Sequence, residues 1–357
     1  MRKIGILTSG GDCAGLNPAI YSLARSLYKK IDGVELIGIY DGYTGLIKRN
    51  TKLLGPRDFD DIFTKGGTFL RSIRQSFKTI EVKDEKGLSK ADRIIDNYKK
   101  LHLDALVTLG GNGTHKIANL LSQRGLNIVA LPKTIDNDIF GTEETFGFDT
   151  AIQEGINYID AIKSTAASHS RVMVVEIMGN KVGWLPLMVG VASGADIVLL
   201  PEIPYDINKV VAAVRKTRKF RNYVIVAIAE GAYSKDESRK AKIRLEERKV
   251  AGFEFVSEKL AAEITARTQI ESRAAIPGHL LRGGTPSAYD RNYTMQLGNY
   301  AAELIEKEIY GVTVAKIDGR ISYNMLADIA GKPKPVTLDH PLLRAAYDAG
   351  VCFGARI

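Results

Sequence analysis

Between Lys133 and Asp138 the chain reads Lys-Thr-Ile-Asp-Asn-Asp. Two carboxylates, an ammonium and a hydroxyl thus follow an apolar run, 128–131, that predicts a buried strand. An aspartate at a strand end is able to take a proton from a hydroxyl, and a second one nearby to hold a divalent cation. Lys133 and Thr134 add the charge and the donor that phosphoryl transfer calls for. The aspartates are equally able to cap a turn and a helix. Two more apolar runs end in glycine: 4–7 leads into Thr8-Ser9-Gly10-Gly11-Asp12, and 105–109 into Gly110-Gly111-Asn112-Gly113-Thr114. Glycines let a polyphosphate approach backbone N–H groups at a helix N-terminus. Alone, each loop is also just a tight strand-to-helix turn. Neither has the Walker A ending or the dinucleotide spacing. Together, the three strand ends predict one phosphate site at the carboxyl edge of a parallel sheet. Asn17, after the first loop, reads as a helix cap.

Further along, Ser168-His169-Ser170-Arg171 leads into an apolar run at 172–177, followed by Met178-Gly179-Asn180. Arg171 is a candidate phosphate fork or a surface arginine at a strand start. His169 reads as a hydrogen-bonded structural histidine. Glu230 ends another apolar run, where a lone carboxylate binds something polar. Arg273, His279 and Arg282, with Gly278, Gly283 and Gly284 beside them, suit a phosphomonoester dianion or salt bridges on a surface loop.

The elements that must position these groups follow from periodicity. Ile20, Leu23, Ala24 and Leu27, and again Ile152, Ile156, Ile159 and Ile162, keep helical spacing behind the first loop and the Asp-rich loop. Strands are predicted at 36–40, 172–177, 197–200 and 223–229, and a charged helix or loop at 234–249. This alternation predicts an α/β fold with parallel sheets. A domain change near 140–150 is expected, where the pattern restarts after two Phe-Gly turns. The 357 residues suffice for two domains with sizeable cores. No apolar run approaches the roughly 20 residues of a membrane span, and the start shows no signal-peptide layout. Cys13 and Cys352 are the only cysteines, which argues against a disulfide framework or zinc cluster and fits a reducing cytoplasm. The net charge of +9 is dispersed: a solvated basic surface, or attraction for anionic substrates. It lacks the aromatic-interleaved stripe of a nucleic-acid binder.

Taken in order, ILTSGGDCAGLNPAI, GGTFLRSIR, TLGGNGT, LPKTIDNDIFGTEETFGFDTA, SHSRVMVVEIMG and PGHLLRGGTPSAYDR make the chain resemble the 6-phosphofructokinase family along nearly its whole length. The resemblance implies two similar-sized domains with parallel-rich sheets flanked by helices and an active site in the interdomain cleft. Residues 1–140 plus about 282–330 would form the ATP domain, and 141–281 plus about 331–357 the sugar-phosphate domain. It implies phosphoryl transfer from ATP to the 1-hydroxyl of fructose 6-phosphate, with Mg2+, as a committed step of glycolysis. By resemblance Asp136 is the base, Thr134 contacts the reacting groups, and Asp138, with Asn112, is linked to magnesium. Gly11, Arg74 and the loop with Gly111, Asn112, Gly113 and Thr114 fall on the donor side. Arg171, Met178, Gly179, Glu230, Arg273, His279 and Arg282 fall on the sugar-phosphate side. Residues matching Arg171 and Arg273 reach in from a neighbouring subunit, implying a homo-oligomer, a dimer or tetramer. Asn112 stands where the family usually has aspartate, which offers a carbonyl ligand without the charge. Gly113 matches ATP users, whereas Lys133 matches pyrophosphate users; the mixture resembles a subgroup with ATP-dependent members. The expected donor is therefore ATP, with pyrophosphate the alternative. A non-catalytic sugar-phosphate-binding subunit, suggested only by Asn112, is disfavoured by the retained Asp136, Asp138, Arg171 and Arg282. Arg25 and Lys163 match basic effector-site positions, but Tyr21 stands where arginine is usual, so effector control is not implied.

Overall fold

The computed structural model describes residues 2–357. In chain order the elements are β1 (Lys3–Ser9), α1 (Leu16–Lys30), β2 (Glu35–Ile39), α2 (Gly42–Lys48), β3 (Thr51–Leu54), α3 (Lys90–Lys100), β4 (Ala105–Gly110), α4 (Asn112–Gln123) and β5 (Ile128–Pro132). Then follow α5 (Phe148–Ser168), β6 (Val172–Ile177), α6 (Trp184–Ala192), β7 (Ile197–Leu199), α7 (Ile207–Arg218), β8 (Val224–Ala229), α8 (Ala241–Val250), α9 (Val256–Thr268) and β9 (Ser272–Ala275). The chain ends with α10 (Ala288–Glu306), β10 (Val312–Ile317), β11 (Arg320–Met325), α11 (Leu326–Ile329) and α12 (Pro341–Asp348). No helix among the described residues is long and apolar enough to cross a membrane.

Two compact units share this chain: residues 1–151 with 282–334, and 152–281 with 335–357. Beside the expected change near 140–150 and at about 330, the hydrogen bonds fix which residues stay with the first unit. Glu143 N–H donates to Lys316 O, Phe146 N–H to Pro132 O and Gly147 N–H to the Asp290 carboxylate, so 141–151 stays with the first unit. Gly331 N–H donates to the Asn112 side chain and Lys334 Nζ to Asn137, which holds 331–334 there too.

The first unit is built on a seven-stranded sheet in the order β11-β10-β5-β4-β1-β2-β3. Its five central strands run parallel, and β11 and β3 close the two edges antiparallel. The strands β1, β4 and β5 are buried along nearly their full length, as strands covered on both faces must be. Leu7, Ile39, Leu106, Ile117, Leu121 and Ile128 belong to one buried cluster beneath the helices. Each such side chain stabilises the fold by about 1.5–3 kcal/mol relative to leaving it in water. Helices α1 and α10 approach so closely that a Cβ on Gly298 would lie 2.6 Å from Leu23 N, a spacing only glycine permits.

The second unit holds a four-stranded parallel sheet, β7-β8-β6-β9. Val172, Val174, Val226 and Ile228 pack with Leu260 and Ile264 of α9. The charged stretch at 234–249 contains α8, which has no buried residue.

Candidate active site

In the first unit β5, β4 and β1 are direct neighbours, so their carboxyl ends lie side by side: Gly110 pairs with both Ser9 and Pro132. The β1 loop and the glycine-rich loop each open onto a helix, α1 and α4. This is the predicted placement of a phosphate site on a parallel sheet. Lys133 is 3 % exposed, and its ammonium donates to Gly11 O, bringing the Asp-rich loop against the β1 loop. Burial lowers its pKa.

Half-buried Asp136 sits on a small Thr turn. Its backbone N–H donates to Thr134 Oγ1 at 3.1 Å, and the same hydroxyl reaches Asp136 Oδ2 at 3.5 Å. Desolvation raises the Asp136 pKa, opposed by the positive charges of Arg282, Lys133 and Arg74 and by the Thr134 hydroxyl. A raised carboxylate ringed by cations is the electrostatic setting of a general base that works close to a polyanion. Thr145 Oγ1 donates to Thr134 O at 2.7 Å and fixes the turn from below.

Arg282, expected on the sugar-phosphate side, turns towards the β1 loop: its guanidinium donates to Asp12 O at 3.2 Å and lies 2.6 Å from where a Cβ on Gly11 would be. A side chain at Gly11 would displace this guanidinium. Arg74 is exposed and follows Ile73, which bridges to Ser9, so the 71–74 segment runs beside the end of β1. Gly113 is exposed, with nothing within 4 Å of the position its Cβ would occupy. Thr114 is buried and its hydroxyl donates to Ser9 O at 3.4 Å, so it ties the two loops together. Asn112 faces away from them: its Oδ1 accepts from Gly331 N–H at 3.2 Å and its Nδ2 donates to Lys332 O at 3.4 Å. Asn17 is not a cap. It lies inside α1, gives its Nδ2 to Lys65 O and Gly66 O, and accepts Phe69 N–H, so it pins the loop that precedes Arg74.

No group of three or more His, Cys, Asp or Glu able to hold a metal ion occurs among the described residues. The donor set suits a magnesium ion that arrives on a polyphosphate, which needs only one or two carboxylates from the protein. Half-buried Asp138 is one such carboxylate on the Asp-rich loop, whereas the Asn112 amide oxygen accepts from Gly331 N–H.

Three residues unread in the sequence support this edge. Arg71 lines, with Gly10, Gly11, Asp12, Thr68 and Ser72, a cavity of about 250 Å³. It is held at φ +56° and pairs with Asp41 at 3.0 Å. His115 is buried between Gly111 O and Thr313 Oγ1, and burial pushes its pKa down to about 4, so it is a neutral strut under the glycine-rich loop. Buried Asp290 accepts from Gly147 N–H, Thr150 N–H and Thr150 Oγ1. The Ser287-x-x-Asp290 spacing was its only sequence signal, and it signals a capping box, whereas the carboxylate reaches across to α5.

In the second unit the expected sugar-phosphate residues fall into two groups. Met178 and Gly179 follow the carboxyl end of β6, and Glu230 follows that of β8. They adjoin, since Glu230 N–H donates to Ile177 O and Gly231 N–H to Gly179 O. Exposed His279 lies in the 3₁₀ turn after β9. Arg171 and Arg273, by contrast, lie at the amino ends of β6 and β9, where Glu271 bridges them at 3.0 and 2.7 Å. The six residues of β6 separate the two groups by about 20 Å.

The family model described as phosphofructokinase matches residues 3–305. The ATP-dependent 6-phosphofructokinase of Spirochaeta thermophila is 48 % identical across 99 % of this chain and 98 % of its own. The pyrophosphate–fructose 6-phosphate 1-phosphotransferase of Thermoproteus tenax is 37 % identical across 94 % and 95 %. Among solved structures, the phosphofructokinase of Pichia pastoris in the T-state superposes with a TM-score of 0.78 at 28 % identity, over 98 % of this chain. This chain spans 36 % of the length of that yeast protein. With the adjoining strand ends, the glycine loops and the Lys133-to-Asp138 turn in place, these likenesses establish that the chain belongs to the phosphofructokinase family.

Proposed function

We propose that this protein transfers a phosphoryl group from ATP to the 1-hydroxyl of fructose 6-phosphate, giving fructose 1,6-bisphosphate and ADP. The observation that carries this reading is the placement of Asp136: a desolvated carboxylate among Lys133, Arg282 and Arg74, beside two glycine loops at one sheet edge. Asp136 accepts the proton of the sugar hydroxyl, late in a transition state that is largely dissociative. Lys133, fixed at Gly11, and Arg282, fixed at Asp12, offset the charge on the phosphoryl group in transit. Asp138 would hold a magnesium ion carried by the nucleotide, and that ion would offset the charge on the phosphates. Gly11, Arg74 and the Gly111-to-Thr114 loop serve the donor; Met178, Gly179, Glu230 and His279 serve the sugar phosphate.

The open space at Gly113 supports ATP, because the bulk of a nucleotide beyond its β-phosphate needs room there. Pyrophosphate is the second reading, supported by Lys133 and by the relative from Thermoproteus tenax. Steady-state assays on fructose 6-phosphate with magnesium, run with each donor in parallel, decide. Turnover with ATP and weak turnover with pyrophosphate are expected; the reverse overturns the donor assignment.

The separation of Arg171 and Arg273 from Met178 and Glu230 supports a shared clamp. One copy cannot place both groups on a single sugar phosphate when a full strand lies between them. The two arginines therefore serve the site of a second copy, which makes the working form a homo-oligomer, a dimer or a tetramer of paired dimers.

A further inference from the structure

A short segment of the first unit, Gly331-Lys332-Pro333-Lys334, meets both halves of the donor edge. Its start holds the glycine-rich loop: Gly331 N–H and Lys332 O take the two ends of the Asn112 amide, in the first turn of α4. Gly331 has φ +87°, and a Cβ there would lie 2.7 Å from Lys116 Cε, so it sits against the Lys116 side chain of α4. Its end holds the Asp-rich turn. Lys334 Nζ donates to Glu143 O at 2.7 Å and to Asn137 Oδ1 at 3.1 Å. Prolines on both sides of Lys334 restrict its backbone.

Asn137 stands between Asp136 and Asp138, is buried, and adopts φ +50°. Asparagine reaches that conformation more easily than other residues with a Cβ, and its surroundings decide whether it stays there. Here they do: Asn137 Nδ2 donates to Glu143 O at 3.3 Å, and the Lys334 ammonium takes both the amide oxygen and that same carbonyl. Reversing the left-handed step at Asn137 would redirect the carboxylates on either side of it.

We propose that Lys334 is a positioning residue: by clamping Asn137 in its left-handed conformation it aims Asp136 and Asp138, and its segment keeps that turn in register with the glycine-rich loop through Asn112. The inference deepens the phosphotransferase reading above and rests on it for its kinetic consequence, while the clamp itself is open to a structural test.

The variants are Lys334→Met, Lys334→Arg and Asn137→Gly, each as the full chain. The Lys334→Met protein is expected to lose kcat by on the order of 10- to 100-fold, the cost of a misaimed reacting group. Its half-saturating fructose 6-phosphate should stay within about threefold, because uniform binding is untouched. Lys334→Arg, which keeps charge and donors, should recover most of the loss. The Lys334→Met and Asn137→Gly losses should be non-additive in the double variant, since both remove one clamp. Hydrogen exchange of the 135–143 amides gives the independent readout, with faster exchange expected in Lys334→Met. Unchanged exchange there, or additive losses of kcat, would overturn the clamp. A wild-type chain inactive with both donors, but with exchange accelerated in the variant, would sink the phosphotransferase reading and leave the clamp standing.

Discussion

At the scale of single residues, reactivity and stability pull against each other at Asp136 and Arg71. Desolvation raises the Asp136 pKa above its unfolded value, despite three nearby cations. Its charged form is therefore disfavoured by folding, and the stability it contributes on the acid side is lost as pH rises through the folded-state pKa. Asp136→Asn is expected to cut kcat by about 10²–10⁴-fold while raising the melting temperature near neutral pH. Wild-type-like turnover in a folded Asp136→Asn protein would remove it from the role of base. The acid limb of the kcat/KM profile should lie above the ordinary carboxylate range, since the same group must be ionised to work. Arg71 is strained at φ +56° and lines the donor-side cavity. In its ion pair with Asp41 the arginine is largely exposed, so little stability comes from it. Arg71→Gly should therefore stabilise the fold by roughly 1 kcal/mol, in the range of a relieved left-handed residue. The same change should raise the half-saturating concentration of ATP and leave that of fructose 6-phosphate unchanged. Reduced stability with unchanged ATP affinity would mean that Arg71 is there for its ion pair with Asp41 and for the Tyr40 ring, whose centre lies 5.2 Å from the guanidinium.

At the scale of elements, the proposed donor choice turns on the first turn of α4. Gly113 leaves open space at a helix N-terminus, where backbone N–H groups face outward. Gly113→Asp would fill that space and set a carboxylate against a polyphosphate, so ATP turnover should be lost. Pyrophosphate turnover, assayed on the same preparation, should persist or rise, because Lys133 is already in place. Retained ATP turnover would show that the nucleotide does not pass this turn. The neighbouring elements show how much of this edge could be read beforehand. The strands β1, β4, β5, β6 and β8 are built around apolar runs, and their ends carry the glycines, Lys133, Asp136 and Glu230, so strand and chemistry were legible together. The exposed or short strands β3, β9 and β11 gave no such signal, because an edge strand needs few buried side chains. Asn17, Asp290 and Lys334 were hidden for another reason. Their partners lie 48 to 197 positions away in the chain, and no local spacing encodes a contact of that kind.

At the scale of the whole molecule, the proposed partner rests on the geometry of the second unit's sheet. Arg171 and Arg273, joined by Glu271, lie at the amino ends of β6 and β9, a strand's length from Met178 and Glu230. If the arginines complete the site of another copy, two differently disabled copies should repair each other. Asp136→Asn removes the base and keeps the arginines; Arg273→Ala keeps the base and removes one arm of the clamp. Each protein alone should be nearly inactive at limiting fructose 6-phosphate. A mixed pair has one complete site, built from the base of the Arg273→Ala copy and the arginines of the Asp136→Asn copy. Random pairing of equal amounts should thus restore about a quarter of wild-type activity after dissociation and reassembly. The Arg273→Ala defect should also lie mainly in the half-saturating concentration of fructose 6-phosphate, with that of ATP nearly unchanged. Mixing that restores nothing, in assemblies shown by mass to contain both copies, would place Asp136 and Arg273 in the same protomer's site. A fully active monomer at high dilution would do the same, and would require the amino ends of β6 and β9 to serve some other purpose.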